Sequence, residues 1–299
     1  MASVDVLSKG SNFDPELVRD LVSKIVGKSA VAKLSGQKPL AFKGSKEFVF
    51  DMPNEIDIVA ENGEKSHGGA TVTPKTVVPI KFEYGARVSD EFLYASEEEQ
   101  IDLLRSFNDG FAKKFAKGFD IAVMHGLNPR TGESSSVVGN NHFDYVVATA
   151  RGGNQITGTA EPGEDLEDAV EAIQADGFMA NGVAMSPAFA RSLASVKEGG
   201  VTQYPEFRFG GQPETFYGMG VDVNPTVGSA DSAIVGDFDA FRWGIAKQIP
   251  VEIIEYGDPD NSGKDLKGYN QIYIRAEVYA GWAILIPEAF ARITAYTSA

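Results

Sequence analysis

Two long strand-like stretches, residues 47–60 (EFVFDMPNEIDIVA) and 71–88 (TVTPKTVVPIKFEYGARV), flank a polar, glycine-rich tip, Glu61-Asn62-Gly63-Glu64-Lys65-Ser66-His67-Gly68-Gly69. In the second stretch Val78, Ile80, Phe82, Tyr84, Ala86 and Val88 alternate on one face with the two-residue period of a strand. The spacing predicts a long two-stranded arm. Such an arm is marginal alone in water, because each strand leaves an open edge and neither face is covered. It has to lie on something, and a neighbouring copy of the same chain is the natural cover.

The remaining elements must build a body from which that arm projects. Asp14-Pro15-Glu16 reads as cap, first helical residue and first-turn acid of a short helix that carries Leu17, Val18, Leu21, Val22 and Ile25 and stops at Gly27. Lys28 to Lys46 is an extended lead-in to the arm. After the arm, Ser96 and Glu99 have the spacing of a capping box, and Ile101, Leu104, Phe107, Phe111, Phe115 and Phe119 recur every three or four residues. A helix from Glu97 to Phe119 would run about 35 Å, its phenylalanines packed on a sheet. Asn128 to Gly163 is rich in Gly, Ser, Thr and Asn and reads as connecting loops with one short strand at Tyr145 to Ala148. A compact α+β region follows. One of its helices holds Leu166, Ala169, Val170 and Ile173 and ends at Gly177, and another opens at Ser186-Pro187; short strands lie at Val183 to Met185, Val221 to Val223 and Ala233 to Val235. Gln271 to Ile286 alternates strongly and returns to the first body.

With 299 residues, 43% of them hydrophobic, the chain can bury a sizeable core over one or two domains. A formal net charge of −15 argues against sequence-specific nucleic-acid binding, though not against a wall that encloses nucleic acid without gripping it. Simple solubility is the plainer account of that charge. The absence of cysteine removes disulfides and thiolate metal sites and fits a reducing compartment. No apolar run approaches the roughly 18 residues that span a bilayer, and MASVDVLSKG holds no apolar signal core, so no membrane association and no export by that route are expected.

Catalytic chemistry is scarce. There is no phosphate-cradling loop, dinucleotide fingerprint, His-Glu-x-x-His pair or Gly-x-Ser-x-Gly elbow. His67, His125 and His142 are widely spaced and read as surface or loop residues. Asp258-Pro259-Asp260-Asn261-Ser262-Gly263 copies the first half of a calcium loop, but its twelfth position is Tyr269 where a bidentate Glu is required, and its flanks read as strands. A polar turn is the better account, and no metal or other cofactor is expected. The Glu97 to Glu99 carboxylates suit a helix N-terminus, not acid–base work.

The order of arm, long hairpin, long amphipathic helix, inserted α+β domain and returning strands resembles the major capsid proteins of tailed phages, the Hong Kong 97-type fold. Val183-Ala184-Met185-Ser186-Pro187-Ala188-Phe189, Gly218-Met219-Gly220-Val221-Asp222-Val223, Ala233-Ile234-Val235-Gly236-Asp237-Phe238, Arg275-Ala276-Glu277 and Ile286-Pro287-Glu288-Ala289-Phe290 carry the resemblance, by order and spacing together. It implies an N-terminal arm and lead-in at 1–44, an extended loop at 45–83, a peripheral domain with its spine helix at 84–157, an axial domain at 158–258 and returning peripheral strands at 259–299. It further implies a structural, non-enzymatic role: homo-hexamers and homo-pentamers forming an icosahedral head around double-stranded DNA, assembled in the bacterial cytoplasm and ending in the virion. Portal, scaffolding, maturation protease and decoration proteins are the partners such a shell would meet.

Some members of that family weld subunits with isopeptide bonds, in which an extended-loop lysine attacks an asparagine carboxamide on a neighbour and a glutamate accepts the proton. By position the resemblance assigns these roles to Lys65, Asn270 and Glu277. Asn270 and Glu277 are an odd number of residues apart on one expected strand, so they would face opposite ways, which suits a site assembled from several subunits. An exposed lysine, a turn asparagine and a strand glutamate without a joint role is the other account of the same residues. Two rival functions stand beside the phage head: an encapsulin-type nanocompartment shell, told apart by its cargo, and an α+β hydrolase, against which the missing nucleophile motifs count.

Overall fold

The computed structural model describes residues 28–52, 54–148, 153–228 and 231–296, together with Ile25. The expected helix from Asp14 lies outside the described residues except for Ile25, which is fully buried. Helix α1 (Ala30–Leu34) opens the described chain, its N-terminus capped by Ser29. Strands β1 (Ser45–Asp51) and β2 (Thr71–Val77) then pair antiparallel from Ser45↔Val77 to Asp51↔Thr71.

This ladder is shorter than the two stretches in the sequence, for two reasons. Continuing its register past Asp51 would set Ile56 and Ile58 opposite the polar, glycine-rich run 62–69, whose residues resist a strand. At the other end Pro79 offers no N–H to a ladder, and the chain changes partner there. Strand β3 (Ile80–Ser89) leaves β2 behind and pairs in a different sheet. The expected 71–88 strand is therefore two strands, and the hairpin is a separate two-stranded ribbon.

Helix α2 (Glu97–His125) begins with the predicted capping box: Ser96 Oγ accepts from the Glu99 amide, and Glu99 Oε2 accepts from the Ser96 amide. It runs six residues past Phe119, giving 29 residues and about 44 Å. The apolar stripe continues through Ala122, Val123 and Met124, all buried, and the first residue able to stop it is Gly126, which is left-handed at φ 67°. A Cβ there would also strike the His142 ring. The stripe is core only from its middle onward: Phe111, Phe115 and Phe119 are buried, whereas Ile101 is half exposed. Single-turn α3 (Phe143–Val146) replaces the strand expected at Tyr145 to Ala148, because Phe143 is drawn into the core against Phe241 and Phe290.

Beyond β4 (Asn154–Ile156), helix α4 (Pro162–Ala175), β5 (Gly182–Met185), α5 (Pro187–Ser195) and a minor hairpin of β6 (Lys197–Glu198) and β7 (Val201–Thr202) follow. Then come β8 (Thr215–Phe216), β9 (Met219–Val223), β10 (Asp231–Gly236), the long β11 (Phe241–Ile254) and β12 (Gln271–Ile284), and β13 (Phe290–Thr294). Two larger sheets result. One is ordered β11-β12-β3, and the other β4-β13-β10-β5-β9-β8. The segment 259–299 thus divides between them, β12 to the first and β13 to the second. Buried residues of α4 and α5, among them Leu166, Ile173, Phe189 and Leu193, cover one face of the six-stranded sheet at Met185, Val235 and Ile293.

The two sheets meet at the C-terminal half of α2. Phe119 lies 5.4 Å from Trp282 and 5.5 Å from Trp243, ring centre to ring centre, and stacks on Phe115. The next residue, Asp120, is fully buried and accepts from Ser29 Oγ, the Ala30 and Val31 amides and Thr226 Oγ. One carboxylate thereby ties α1 and the Pro225–Val227 turn to α2. Burial pushes its pKa up to about 6 against the pull of those four donors. Truncating Phe119→Ala should destabilise the protein by about 3–5 kcal/mol, read as a shift in the urea midpoint; a loss under ~1 kcal/mol would show that the aromatic junction does not hold the helix to the three-stranded sheet.

Candidate functional site

The surface that stands out is the ribbon. Directly opposed residues of an antiparallel pair share a face, so Phe48 with Pro74 and Phe50 with Val72 form one apolar side. That side is bare: Phe48 is 59% and Phe50 62% exposed, and beyond the ladder Ile56 and Ile58 are 94% and 96% exposed. Phe42, Met52 and Val78 extend the exposed apolar surface toward both ends of the ribbon. Glu47 on the other side is anchored to Arg242 at 2.8 Å, which fixes the ribbon's root and leaves its apolar side outward. No helix of the described residues is long and apolar enough to cross a membrane.

A second cluster is buried. His125, at the end of α2, places Nδ1 2.8 Å from Asp144 Oδ2 and Nε2 3.0 Å from the Thr226 carbonyl oxygen. Both neighbours only accept, so the ring donates from both nitrogens and is an imidazolium. Arg292 of β13 holds the other Asp144 oxygen at 2.9 Å and approaches Asp231, which is 1% exposed. Burial opposes the charge on His125, yet the bond to Asp144, the Thr226 carbonyl and nearby Asp231 leave its pKa raised. Burial also works against the Asp144 carboxylate, but His125, Asp231 and Arg292 pull it down to about 2. Asp231, pushed by burial and then by Asp144, rises to about 8. His125, Asp144 and Asp231 could in principle offer three ligand atoms to a metal; the guanidinium beside them already supplies the balancing positive charge. Contrary to the sequence reading, His125 is neither a surface nor a loop residue, and His142 is half-buried at the cap of α3, while His67 is exposed. No sequence motif marked the cluster, because its members come from four separate elements.

The half calcium loop also has a cation, and it is Arg87. Its Nη2 lies 2.6 Å from Asp258 Oδ1, 2.5 Å from Asp260 Oδ1 and 2.6 Å from Ser262 Oγ, with Nε 2.9 Å from Asp260 Oδ2. The guanidinium holds Asp260 below the usual carboxylate range. The alternate oxygens of the loop are spent on a side chain of β3.

Lys65 is exposed on the ribbon tip and Asn270 in a left-handed turn, φ 53°, just before β12. Asn270 is thus outside the strand, and strand alternation does not set its direction. Glu277 lies inside β12, buried, 2.5 Å from Lys81 Nζ and 3.5 Å from Arg275 Nε. Seven residues of nearly extended chain put Asn270 and Glu277 about 23 Å apart, so one copy does not bring the two together.

A model of the phage capsid family matches residues 13–295. The chain belongs to the phage capsid family. A solved structure from Mycobacterium phage Ogopogo is 32% identical, with a TM-score of 0.74 over 90% of this chain and 92% of that one. One from Gordonia phage Cozz is 24% identical, with a TM-score of 0.74 over 91% and 87% of the two chains. The capsid of an empty GTA particle, computed with C5 symmetry, shares the fold at 14% identity, a TM-score of 0.63 and 90% coverage of each chain. No curated protein matches by sequence. This is a structural capsid protein of mixed helix and sheet, with the Hong Kong 97-type fold.

In this capsid protein the His125 cluster joins α2 to the six-stranded sheet, and its protons make that joint sensitive to pH. A group whose pKa is higher folded than unfolded stabilises below its unfolded value and loses that contribution as pH rises through the folded one. His125 and Asp231 both act in this sense. Subunit stability should therefore decline as pH rises from 3.8, the ordinary value of the Asp231 carboxyl, to about 8, its folded value, and His125→Asn should flatten the part of the decline above the ordinary imidazole value. Thermal melts at several pH values check this; a wild-type profile that rises across the window would refute the charge assignment.

Proposed function

We propose that this protein is the major subunit of an icosahedral phage head, in which the ribbon of each copy lies on its neighbours. The observation that carries this reading is the bare apolar side of the ribbon. Side chains such as Phe48, Phe50, Ile56 and Ile58 each gain up to about 1.5–3 kcal/mol when fully buried, and in a single copy that gain is not collected. Rings of six and five copies, the extended loop at 45–83, a peripheral domain at 84–157 rejoined by 259–299, and an axial domain at 158–258 around each ring centre make up the proposed shell. Its contents would be double-stranded DNA. The acidic surface suits a wall that does not adhere to phosphates. Portal, scaffolding, protease and decoration proteins are its proposed partners, with assembly in the host cytoplasm and residence in the virion.

Lys65, Asn270 and Glu277 remain a proposed isopeptide site contributed by three subunits. The exposure of the Lys65 amine and of the Asn270 turn carboxamide supports this reading, since both are open to another copy. Glu277 is paired with Lys81 in the free subunit, so it would have to exchange that partner before accepting a proton. The reaction would join Lys65 Nζ to the Asn270 side-chain carbonyl carbon and release ammonia.

Replacing Phe48→Ser together with Phe50→Ser should leave circular dichroism and melting of the subunit nearly unchanged while abolishing particles in sedimentation and electron micrographs. Particles of normal yield from that variant would refute the ribbon's role. Separately, mature wild-type particles boiled in denaturant should run as ladders on a gel, and Lys65→Arg should reduce them to one band; a single band from the wild type would remove the cross-link.

A further inference from the structure

Helix α4 carries Glu164, Glu167, Asp168 and Glu171 on one exposed face, at spacings of three and four residues. Glu164 with Asp168 and Glu167 with Glu171 are like-charge pairs one turn apart, which destabilise a helix. Among the described residues none of the four takes part in an ion pair, and the last turn of α4 has no basic residue. Among the described residues, nothing relieves the repulsion.

The opposite feature lies beside α5. A groove of about 620 Å³ is floored by Pro187, Ala190, Ala194 and Phe207. Arg191, Lys197 and Arg208 line it, all exposed. In a chain of net charge −15, three cations that have no acidic partner among the described residues form an unusual concentration of positive charge. Phe209 stands at the groove's edge, fully exposed, 5.7 Å from the Arg208 guanidinium and held at φ 56°, a left-handed backbone that strains any residue with a Cβ.

The two surfaces sit over different ends of one sheet. Helix α4 packs on β13 and β4, whereas the groove reaches Val223 at the end of β9. We infer that the groove of one copy receives the acidic face of α4 from the next copy, Arg191, Lys197 and Arg208 pairing with Glu164, Glu167, Asp168 and Glu171. A contact between two different surfaces of the same chain is head-to-tail, and it closes into a ring where the rotation allows. Phe209 supplies the apolar part of the contact, and the charges fix its register. This rests on the shell reading and names the pairing within each ring, which the ribbon does not provide.

The test is charge reversal in the full chain, under conditions in which the unaltered protein forms particles. Glu167→Lys with Glu171→Lys, or Arg191→Glu with Arg208→Glu, sets like charges against each other and should lower particle yield about tenfold or more. All four changes together restore opposite signs and should return most of the yield. Every changed residue is exposed, and unchanged melting of each unassembled variant confirms folding. Reversal variants that assemble normally overturn the docking while the shell reading stands. Loss without rescue in the four-fold variant also overturns it, since the groove then serves another occupant, such as the packaged DNA or residues 1–24. An unaltered protein that never assembles overturns the shell reading and this inference with it.

Discussion

Phe119 and Asp120 are adjacent in sequence and hold the two halves of the subunit together by opposite means. Phe119 faces Trp243 and Trp282, one from each of the two long strands β11 and β12, so the helix and the three-stranded sheet share one aromatic contact. Asp120 faces the other way and satisfies donors from α1 and from the turn before β10, which leads into the six-stranded sheet. A buried carboxylate is tolerable only because every nearby donor points at it. The geometry of α2 thereby sets where both sheets lie, and the ribbon and the His125 cluster inherit their positions from it.

The ribbon leaves the fold of one copy with an exposed apolar side. Its root is fixed by Glu47 and Arg242 and by the change of partner at Pro79, while its apolar side has no cover among the described residues. A lone protein usually avoids a contiguous exposed apolar surface, because that surface invites association. In the proposed shell that invitation would be the function, and the same burial that would aggregate an enzyme would build a wall.

Charge is handled in two ways. Where cations and carboxylates are enclosed, as at His125 with Asp144, Asp231 and Arg292, or partly enclosed, as at Arg87 with Asp258 and Asp260, each finds its counterpart within the chain. On the six-stranded half, α4 and the groove beside α5 leave theirs outward and, among the described residues, unmatched. Buried charge has to be paired locally, because desolvation is costly. Exposed charge can wait for a partner.

Period and punctuation determined much of this protein from sequence alone. The two-residue alternation of Val78 to Val88 and of Gln271 to Ile284, the Ser96 capping box and the stripe from Phe107 to Phe119 are local signals, and local backbone geometry obeys them. What only the tertiary structure decided are the matters that depend on distant partners. The 71–88 stretch splits because β12 competes with β1 for it; α2 runs on to His125 because its last turns find a core; Tyr145 becomes helical because Phe143 is pulled inward. Arg87 reaches across some 170 residues of sequence to fill the Asp258 loop, and His125 meets Asp231 from more than a hundred residues away. Side chains so far apart along the chain leave no spacing to read, since their proximity is created by packing and not by the local period of helix or strand.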